Sequence, residues 1–300
     1  MKKKIMITGA EGFLGGRIAA YYEGRYEIIR AGHGDLDITD EGSVAEYLNG
    51  KNPDVVIHCA AVSNTRTCEE NPGLSEAVNL KGPVNMAKGC KENGSRLLFM
   101  SSDQIYAGSS LERANKEEDE IPSANVYGTH KKQAEDEILQ ILPHGICLRL
   151  SWMYDFPVRG LKSSSNLLTN LIQAMVQDRP MRLPVHDCRG ITWVQEVVKN
   201  LEPAMDLPGG VYNFGSENVL SSYETGKRVF QMLDKNGNRK SLIVPDEASF
   251  KDNSRNLAMD TGKVKGCGIT FPETVEGFSK CLNSSPEYIQ ALIGESIVEF

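Results

Sequence analysis

The chain has 300 residues, enough to bury a large core as one domain or as two unequal lobes. Its 40% hydrophobic and 24% charged residues are typical of a globular protein. A net charge of −7 argues against nucleic acid and anionic membranes as partners, and no stretch approaches the roughly 18 apolar residues of a membrane span.

The seven cysteines are widely spaced and form no C-x-x-C pair. Zinc and redox motifs depend on such close pairs, so we predict no metal site. The apolar run behind MKKK is also too short for a signal peptide. We therefore expect reduced thiols and a cytoplasmic location.

The first half of the chain alternates strand-like and helix-like segments. Apolar strands are predicted in KKIMITG, YEIIRAG, PDVVIHCAA, RLLFMSS and GICLRLSW. Helices are predicted between them in FLGGRIAAYYEG, from Thr39 to Gly50, in NPGLSEAVNLKGPVNMAKGCKENG, which closes at Gly94, and in NVYGTHKKQAEDEILQIL. Such alternation indicates a parallel sheet with helices on both faces.

Beyond Trp152 the alternation is less regular. Helices are predicted in NLLTNLIQAMVQD, TWVQEVVKNLEPAM and SSYETGKRVFQMLD, a strand in GVYNFGS, a connector in DRPMRLP, and a loop with a terminal helix in NSRNLAMDTGKVKGCGITFPETVEGFSKCL. We predict an α/β protein with a Rossmann-type doubly wound parallel sheet and a smaller C-terminal α/β substrate lobe. The sheet domain is expected over 1–150, with returning segments around 185–215, and the substrate-binding lobe over 151–184 and 216–300.

The stretch ITGAEGFLGG places Gly9, Gly12 and Gly15 directly between the first strand and the first helix. A dinucleotide-binding turn needs glycine for the tight turn, for close approach to the pyrophosphate and for helix packing. Any strand–helix turn tolerates glycine, but this position after the first strand favours dinucleotide binding.

The second strand ends in IIRAGHGD, with Arg30 and His33 and no acid before Asp35. A carboxylate at this strand end selects NAD, whereas a guanidinium accommodates the 2′-phosphate of NADP. The sequence favours NADP with Arg30 as a contact. NAD stays possible because the strand end can lie a few residues later.

Tyr127 and Lys131 in VYGTHK lie four residues apart, on one helical face. An ammonium stabilises the phenolate form of a nearby tyrosine, and Ser102 can donate to a carbonyl oxygen. Tyr127 could then protonate that oxygen while a nicotinamide delivers hydride. Alone, the pair could equally be a surface feature. Together with the glycine turn and the serine, it predicts a reductase.

The motifs TGAEGFLG, DITD, PDVVIHCAA, SSDQIYAG and VYGTHK resemble, in this order, the extended short-chain dehydrogenase/reductase superfamily. Ser102–Asp103, Ser151–Trp152 and the segment NLAMDTGK are most similar to its dTDP-4-dehydrorhamnose reductase-like branch. The resemblance implies three catalytic residues, Ser102, Tyr127 and Lys131. It implies cofactor contacts at Gly9, Gly12, Phe13, Leu14, Asp37, Ile38, Ala60, Ala61, Ser63, Tyr127 and Lys131. It implies substrate contacts at Ser102, Asp103 and Trp152, although Trp152 could equally be a core residue and Asp37 a capping residue.

Two departures from the branch fall where substrate is expected. Gln104 stands where the branch commonly has an aromatic residue. Dehydratases of the superfamily carry a glutamate at this position, after the aspartate, so Gln104 also argues against elimination and for simple hydride transfer. Arg189 stands where the branch tends to have a small residue. We count Gln104 and Arg189 as further substrate-binding candidates. Lys162 and Arg255 could serve a substrate diphosphate or be surface charges.

We therefore expect an enzyme: an NADP-dependent reductase of a keto group on a nucleotide-linked or related sugar. Two alternatives remain open, namely an NAD-dependent epimerase and a non-catalytic NADP-binding regulatory subunit. The expected partner is a small sugar-nucleotide-like substrate, with no nucleic acid, no membrane, and a monomer or homodimer as assembly. The sequence leaves open the role of the tail 284–300.

Overall fold

The computed structural model describes residues 2–234, 237 and 239–287. Six strands form one fully parallel sheet in the order β2-β1-β3-β4-β5-β10. They are β1 (Lys4–Thr8), β2 (Glu27–Ala31), β3 (Val55–His58), β4 (Arg96–Ser102), β5 (Ile146–Leu150) and β10 (Gly210–Phe214). The predicted doubly wound α/β fold is confirmed. The strand order reverses between β1 and β3, and ligands bind at the carboxyl ends of strands beside such a reversal.

Helices cover both faces of the sheet. Ile5 and Ile7 of β1 belong to one hydrophobic core and Met6 to another, because successive side chains of a strand point to opposite faces. The first core packs against α1 (Phe13–Tyr22) and α8 (Val194–Ala204). The second packs against α2 (Glu41–Lys51), α5 (Gly82–Asn93) and α6 (Val126–Ile141).

The helix limits differ from the prediction where side chains cap the backbone. Helix α2 begins at Glu41, not Thr39, because Asp40 accepts a hydrogen bond from Ser43 N. The long helix predicted around residues 71–94 does end at Gly94, which has a φ of +76°. It is interrupted, however, by a π-helical turn (Ala77–Lys81) between α4 (Pro72–Glu76) and α5, and α3 (Thr65–Glu70) precedes it.

The rest of the chain builds short parallel strand pairs. The pairs are β6 (Trp152–Tyr154) with β9 (Ile191–Trp193), β7 (Met181–Pro184) with β11 (Ile243–Asp246), and β8 (Asp187–Arg189) with β12 (Arg255–Leu257). The pairs β6–β9 and β7–β11 pack on a third hydrophobic core, while Leu257 of β12 packs against Tyr106 and Met259. The third core also includes residues of helices α7 (Leu167–Val176), α9 (Ser222–Leu233) and α11 (Thr274–Ser284).

Two predictions for this region are wrong. The predicted connector DRPMRLP contains β7, and the loop predicted before the terminal helix contains β12 and the short helix α10 (Gly262–Gly266). These strands are only three or four residues long, and each is stabilised by a partner distant in sequence, which local patterns do not reveal. Within the described ranges, no helix is long and apolar enough to cross a membrane. Most of the tail 284–300 lies outside the described residues.

Candidate active site

The glycine turn between β1 and α1 is shaped so that only glycine fits. Gly9 has a φ of +62°, and a Cβ atom on it would lie 2.9 Å from the backbone nitrogen of Ala60. A Cβ on Gly15 would overlap the carbonyl oxygen of Gly9, which already accepts a 2.8 Å hydrogen bond from Gly12 N. Gly12 caps α1 without a side chain, so the first N–H groups of the helix can donate to an anion. The turn therefore fits the pyrophosphate of a dinucleotide.

Thr8 fixes the chain where β3 ends. Its Oγ1 accepts hydrogen bonds from the backbone N–H groups of Cys59 and Ala60, at 3.1 and 3.2 Å. Because the Thr8 oxygen accepts these two bonds, its hydroxyl hydrogen is free to be donated to Nδ1 of the buried His58, 2.8 Å away. Burial lowers the pKa of His58 to about 3, so this ring is neutral. Three predicted cofactor contacts, Ala60, Ala61 and Ser63, follow in the chain. Ala60 is half-buried, and Ala61 and Ser63 are exposed.

The π-helical turn holds the same loop from the other side. Asn79 accepts a hydrogen bond from Val62 N and donates one to Val62 O, both at 3.0 Å. Paired with both backbone groups of one residue, it fixes the path of segment 60–63. Single turns of π-helix often occur at functional sites. Sequence reasoning missed Asn79, because nothing in a helix-like segment marks such a turn.

The predicted catalytic residues meet at the carboxyl end of β4. Ser102 is the last residue of that strand, and Tyr127 and Lys131 lie one turn apart near the start of α6. The helix approaches the strand closely, since a Cβ on Gly128 would overlap the carbonyl oxygen of Gln104. Ser102 lies next to Tyr127, close enough for its hydroxyl to lower the pKa of the phenol. The structure thus brings all three together in one buried place.

Burial sets the protonation of this group. It raises the pKa of Tyr127 above its usual value, and the adjacent Ser102 hydroxyl offsets part of that rise. Burial lowers the pKa of Lys131 to about 8. The Lys131 ammonium donates a 2.9 Å hydrogen bond to the Met100 carbonyl and lies 5.7 Å from the centre of the Tyr127 ring. At neutral pH the site therefore holds a protonated phenol in front of a charged ammonium.

Asp103 and Arg189 form an ion pair beside Ser102. Arg189 Nη2 donates to Asp103 Oδ2 over 2.7 Å, and both side chains are largely buried. The guanidinium lies 5.3 Å from the centre of a ring of Trp152, which also packs against the third hydrophobic core. The buried Arg189 Nε has no hydrogen-bond partner among the described residues, which leaves one donor for another group. Three predicted substrate contacts are thus brought together.

Gln104 is held between its neighbours. Its Oε1 accepts a 3.1 Å hydrogen bond from Asn125 Nδ2, and its Nε2 lies 3.5 Å from Asp103 Oδ1. Gln104 also lines a cavity of about 470 Å³ between α3 and the 250–255 segment. Arg255 is another lining residue of this cavity. Arg255 Nε donates to Asp187 at 2.7 Å, so a buried carboxylate already pairs this charge.

Other expected cofactor contacts lie along the first two strand–helix turns. Phe13 and Leu14 begin α1, the first half-buried and the second buried. The Arg30 side chain lies 3.5 Å from Glu23, at the end of α1 that is remote from the glycine turn. Asp37 is exposed and accepts hydrogen bonds from Thr39 N and Oγ1, which lower the pKa of its carboxyl. Ile38 is buried next to Gly82.

A buried ion pair lies directly behind the site, and sequence reasoning did not identify it. Glu135 is one turn after Lys131 and pairs with Arg149 of β5 at 2.6 Å. Ser101 donates to the same carboxylate at 2.6 Å, and Arg149 donates to the Tyr106 hydroxyl. This network ties α6 to both β4 and β5. It explains why a polar Ser101 is buried beside Ser102, where it serves the network.

Within the part of the chain that the structure describes, no group of three histidine, cysteine or acidic side chains is arranged to hold a metal ion.

Comparisons with known proteins show the family and the fold of this chain. A dTDP-4-dehydrorhamnose reductase from Streptomyces griseus is 31% identical over 217 residues, 69% of each chain. The methionine adenosyltransferase 2 subunit beta of Xenopus laevis is 24% identical over 283 residues, 89% of this chain and 83% of that protein. The crystal structure of dTDP-4-dehydrorhamnose reductase from Bacillus anthracis in complex with NADP superimposes with a TM-score of 0.82 at 21% identity, over 94% of this chain and 99% of that one.

The family model described as "RmlD substrate binding domain" matches residues 2–284. The resemblance read from the motifs is therefore confirmed. Since this match covers nearly the whole chain, the protein belongs to the RmlD substrate-binding domain family, within the extended short-chain dehydrogenase/reductase superfamily of NAD(P)-dependent oxidoreductases.

Proposed function

We propose that this protein reduces a keto group on a nucleotide-linked sugar, in the manner of dTDP-4-dehydrorhamnose reductases, with Tyr127 as the proton donor. The observation that carries the proposal is that Ser102, Tyr127 and the buried Lys131 meet at the carboxyl end of β4, with Lys131 held on the Met100 carbonyl. These groups lie at the same edge of the sheet as the glycine turn, so a dinucleotide bound there can reach them.

A bound dihydronicotinamide supplies the hydride for the carbonyl carbon of the sugar. Ser102 orients the carbonyl oxygen by donating a hydrogen bond to it. Tyr127 then gives its phenolic proton to that oxygen as negative charge develops there, and the product is an alcohol. The raised pKa of Tyr127 keeps this proton in place at neutral pH until the transfer. The Lys131 ammonium stabilises the phenolate that remains.

The sugar nucleotide lies, in this proposal, between the sheet and the substrate lobe formed by 151–184 and 216–300. Asp103, Trp152 and Arg189 are the proposed contacts of the sugar, because they meet next to Ser102. Gln104 supplies an amide where elimination would need an acid or base. The proposed reaction is therefore reduction without loss of water. NADP is the dinucleotide expected from the sequence, and NAD is the alternative.

Incubation of the purified protein with dTDP-4-dehydrorhamnose and related keto-sugar nucleotides tests the proposal. We expect oxidation of NADPH or NADH together with formation of the dTDP-sugar alcohol, measured by absorbance and mass spectrometry. No oxidation with any member of the panel contradicts the proposed function. Interconversion of sugars by tightly held NAD would instead identify an epimerase.

A regulatory role is the second candidate, because one relative is named a subunit of methionine adenosyltransferase. Tyr127→Phe separates the two functions, with the wild-type chain as control. A reductase loses turnover with this change, whereas a regulatory subunit keeps its effect on a partner enzyme. Dinucleotide affinity should be retained in both cases and serves as the check that the site is intact.

A further inference from the structure

We propose that Arg17 is a positioning residue: it fastens the start of the substrate lobe, residues 155–162, to helix α1 beside the glycine turn, and thereby sets the distance between the dinucleotide and the sugar. The inference rests on the proposed function, because that distance is the one that hydride must cross. It goes beyond it by giving a role to a residue that no motif of the sequence indicates.

The first step concerns where Arg17 is held. It is an arginine of α1 with an exposed fraction of only 2%. Its guanidinium lies 4.0 Å from the centre of the Phe13 ring, and its Nη1 donates a 2.9 Å hydrogen bond to the Phe13 carbonyl. Phe13 is the first residue of α1 and follows Gly12 of the glycine turn. One side of the contact is thus fixed at the turn that the dinucleotide is proposed to occupy.

The other hydrogen bonds of the same guanidinium all go to the substrate lobe. Nε donates to Asp155 Oδ2 at 2.8 Å, and Nη2 donates to the Phe156 carbonyl at 3.2 Å. Nη1, which already binds Phe13, also donates to the Lys162 carbonyl at 3.0 Å. A single planar group therefore joins the first turn of α1 to two points of the segment that leaves β6.

Asp155 relates this contact to the sugar side of the site. It follows β6 directly, and β6 begins with Trp152, a proposed sugar contact. Its carboxylate also accepts hydrogen bonds from Trp193 Nε1 and Gln195 Nε2, both at 3.1 Å. A shift of Asp155 away from α1 would thus move the short strand that carries Trp152.

The segment 156–165 is a surface loop whose ends are joined. Asn166 Nδ2 donates a 3.1 Å hydrogen bond to the Asp155 carbonyl, on the other side of the loop. Within residues 157–165, Leu161 is half-buried and the others are exposed. The Leu161 side chain lies against Gly16 of α1, where an added Cβ would be 3.5 Å away. The bonds from Arg17 therefore hold both arms of the loop on the helix.

Geometry explains this contact better than stability does. A buried ion pair is costly to desolvate, and apolar side chains of similar volume often stabilise a fold as well. A guanidinium adds direction, because its planar fork fixes the carboxylate and the carbonyls that it binds. Asp155 also keeps three other donors when Arg17 is replaced, namely Phe156 N, Trp193 and Gln195, so we expect the chain still to fold.

Arg17→Met tests the inference, because it removes the fork and keeps a long side chain. A displacement of about 1 Å between reacting groups can cost about a hundredfold in rate, so we expect kcat per folded molecule to fall by about ten- to a hundredfold. Dinucleotide affinity should change by less than about threefold, since backbone N–H groups hold the pyrophosphate. Arg17→Lys keeps the charge beside Asp155 and should lose only about three- to tenfold. Chemical denaturation gives the folded fraction of each variant.

Limited digestion with trypsin reports on the loop directly, because Arg159 and Lys162 are exposed within it. Arg17→Met should be cleaved after these two residues about tenfold faster than the wild type, as mass spectrometry of the fragments measures. Cleavage elsewhere should stay unchanged. Arg25→Met is the matched control, because it removes an arginine and breaks an exposed pair with Glu202 beyond the other end of α1. It should alter neither kcat nor the cleavage of the loop.

A residue that only stabilised the fold would lower the free energy of unfolding and leave kcat per folded molecule unchanged. Unchanged kcat in Arg17→Met, or unchanged cleavage of the loop, overturns the inference. A wild type that reduces no keto-sugar nucleotide contradicts the proposed function alone. The comparison by trypsin then decides the inference, which fails if Arg17→Met is cleaved in the loop no faster than the wild type.

Discussion

The catalytic end of the site and its substrate side are held together by different kinds of contact. We call the proposed catalytic residues Ser102, Tyr127 and Lys131 the catalytic end, and the proposed sugar contacts Asp103, Trp152 and Arg189 the substrate side. Strand register and helix spacing place the catalytic end, and Lys131 is anchored on a backbone carbonyl. The substrate side depends on a side-chain ion pair between residues 86 positions apart.

This difference indicates which part of the site tolerates amino-acid substitution. Contacts built on backbone survive most substitutions, so we expect the geometry of the proposed proton transfer to tolerate changes in the surrounding sequence. An ion pair needs both partners, and one substitution removes it. Families that keep one reaction and vary their substrates require this combination of a fixed chemical centre and an exchangeable pocket.

The largest effect is expected at the catalytic end. Tyr127→Phe removes the proposed proton donor but keeps the ring, so we expect turnover to fall by about 10²- to 10⁴-fold. Steady-state kinetics with the best sugar nucleotide measure this loss. Dinucleotide affinity should change little, and a variant that retains most of its turnover would exclude Tyr127 as the proton donor.

The buried network behind the catalytic end comes next. Arg149→Met leaves Glu135 buried without its charged partner, and breaking a buried pair costs about 3–5 kcal/mol of stability. Chemical denaturation measures the change in the free energy of unfolding. Lys132→Met is the matched control, because it breaks an exposed pair with Asp136 on the same helix, worth about 0–1 kcal/mol. Similar losses in both variants would contradict this role of the network.

The substrate side should respond through specificity. Arg189→Met leaves Asp103 without its cation, and we expect kcat/KM for the sugar nucleotide to fall by about ten- to a hundredfold. Arg189→Lys restores the charge without the planar fork and should recover part of the loss. The affinity for the dinucleotide should stay unchanged in both variants. If that affinity falls in parallel, the pair supports the whole site and not the sugar pocket.

The mildest change is a shift of pH near neutrality, where turnover should vary little until the pH approaches 8. The pKa of Lys131 is lowered to about 8, so its ammonium is lost as the pH rises through that value. Turnover should therefore decline above about pH 8 and fall about tenfold for each further unit, since the charged form is the active one. The pH profile of kcat measures this, and a flat profile up to pH 10 would contradict the role of the charge. The titratable groups that act on Lys131 or on which it acts are His58, Cys59, Cys68, Glu135 and Cys147.

The sequence by itself determined the features that depend on neighbours along the chain. The glycine turn, the Tyr127–Lys131 spacing, the polar end of β4 and the alternation of strands and helices are local patterns. They follow from backbone conformation, helix periodicity and the burial of apolar runs. That is why the fold class and the family could be predicted from them.

Only the tertiary structure decided which distant residues meet. It paired Asp103 with Arg189 and brought Glu11 to the end of β2. It also placed the Asn79 side chain against the backbone of Val62. It also made a strand of the supposed connector by placing β11 beside it. Hydrogen bonds and ion pairs between remote segments depend on how the chain returns on itself, which no local window of sequence records.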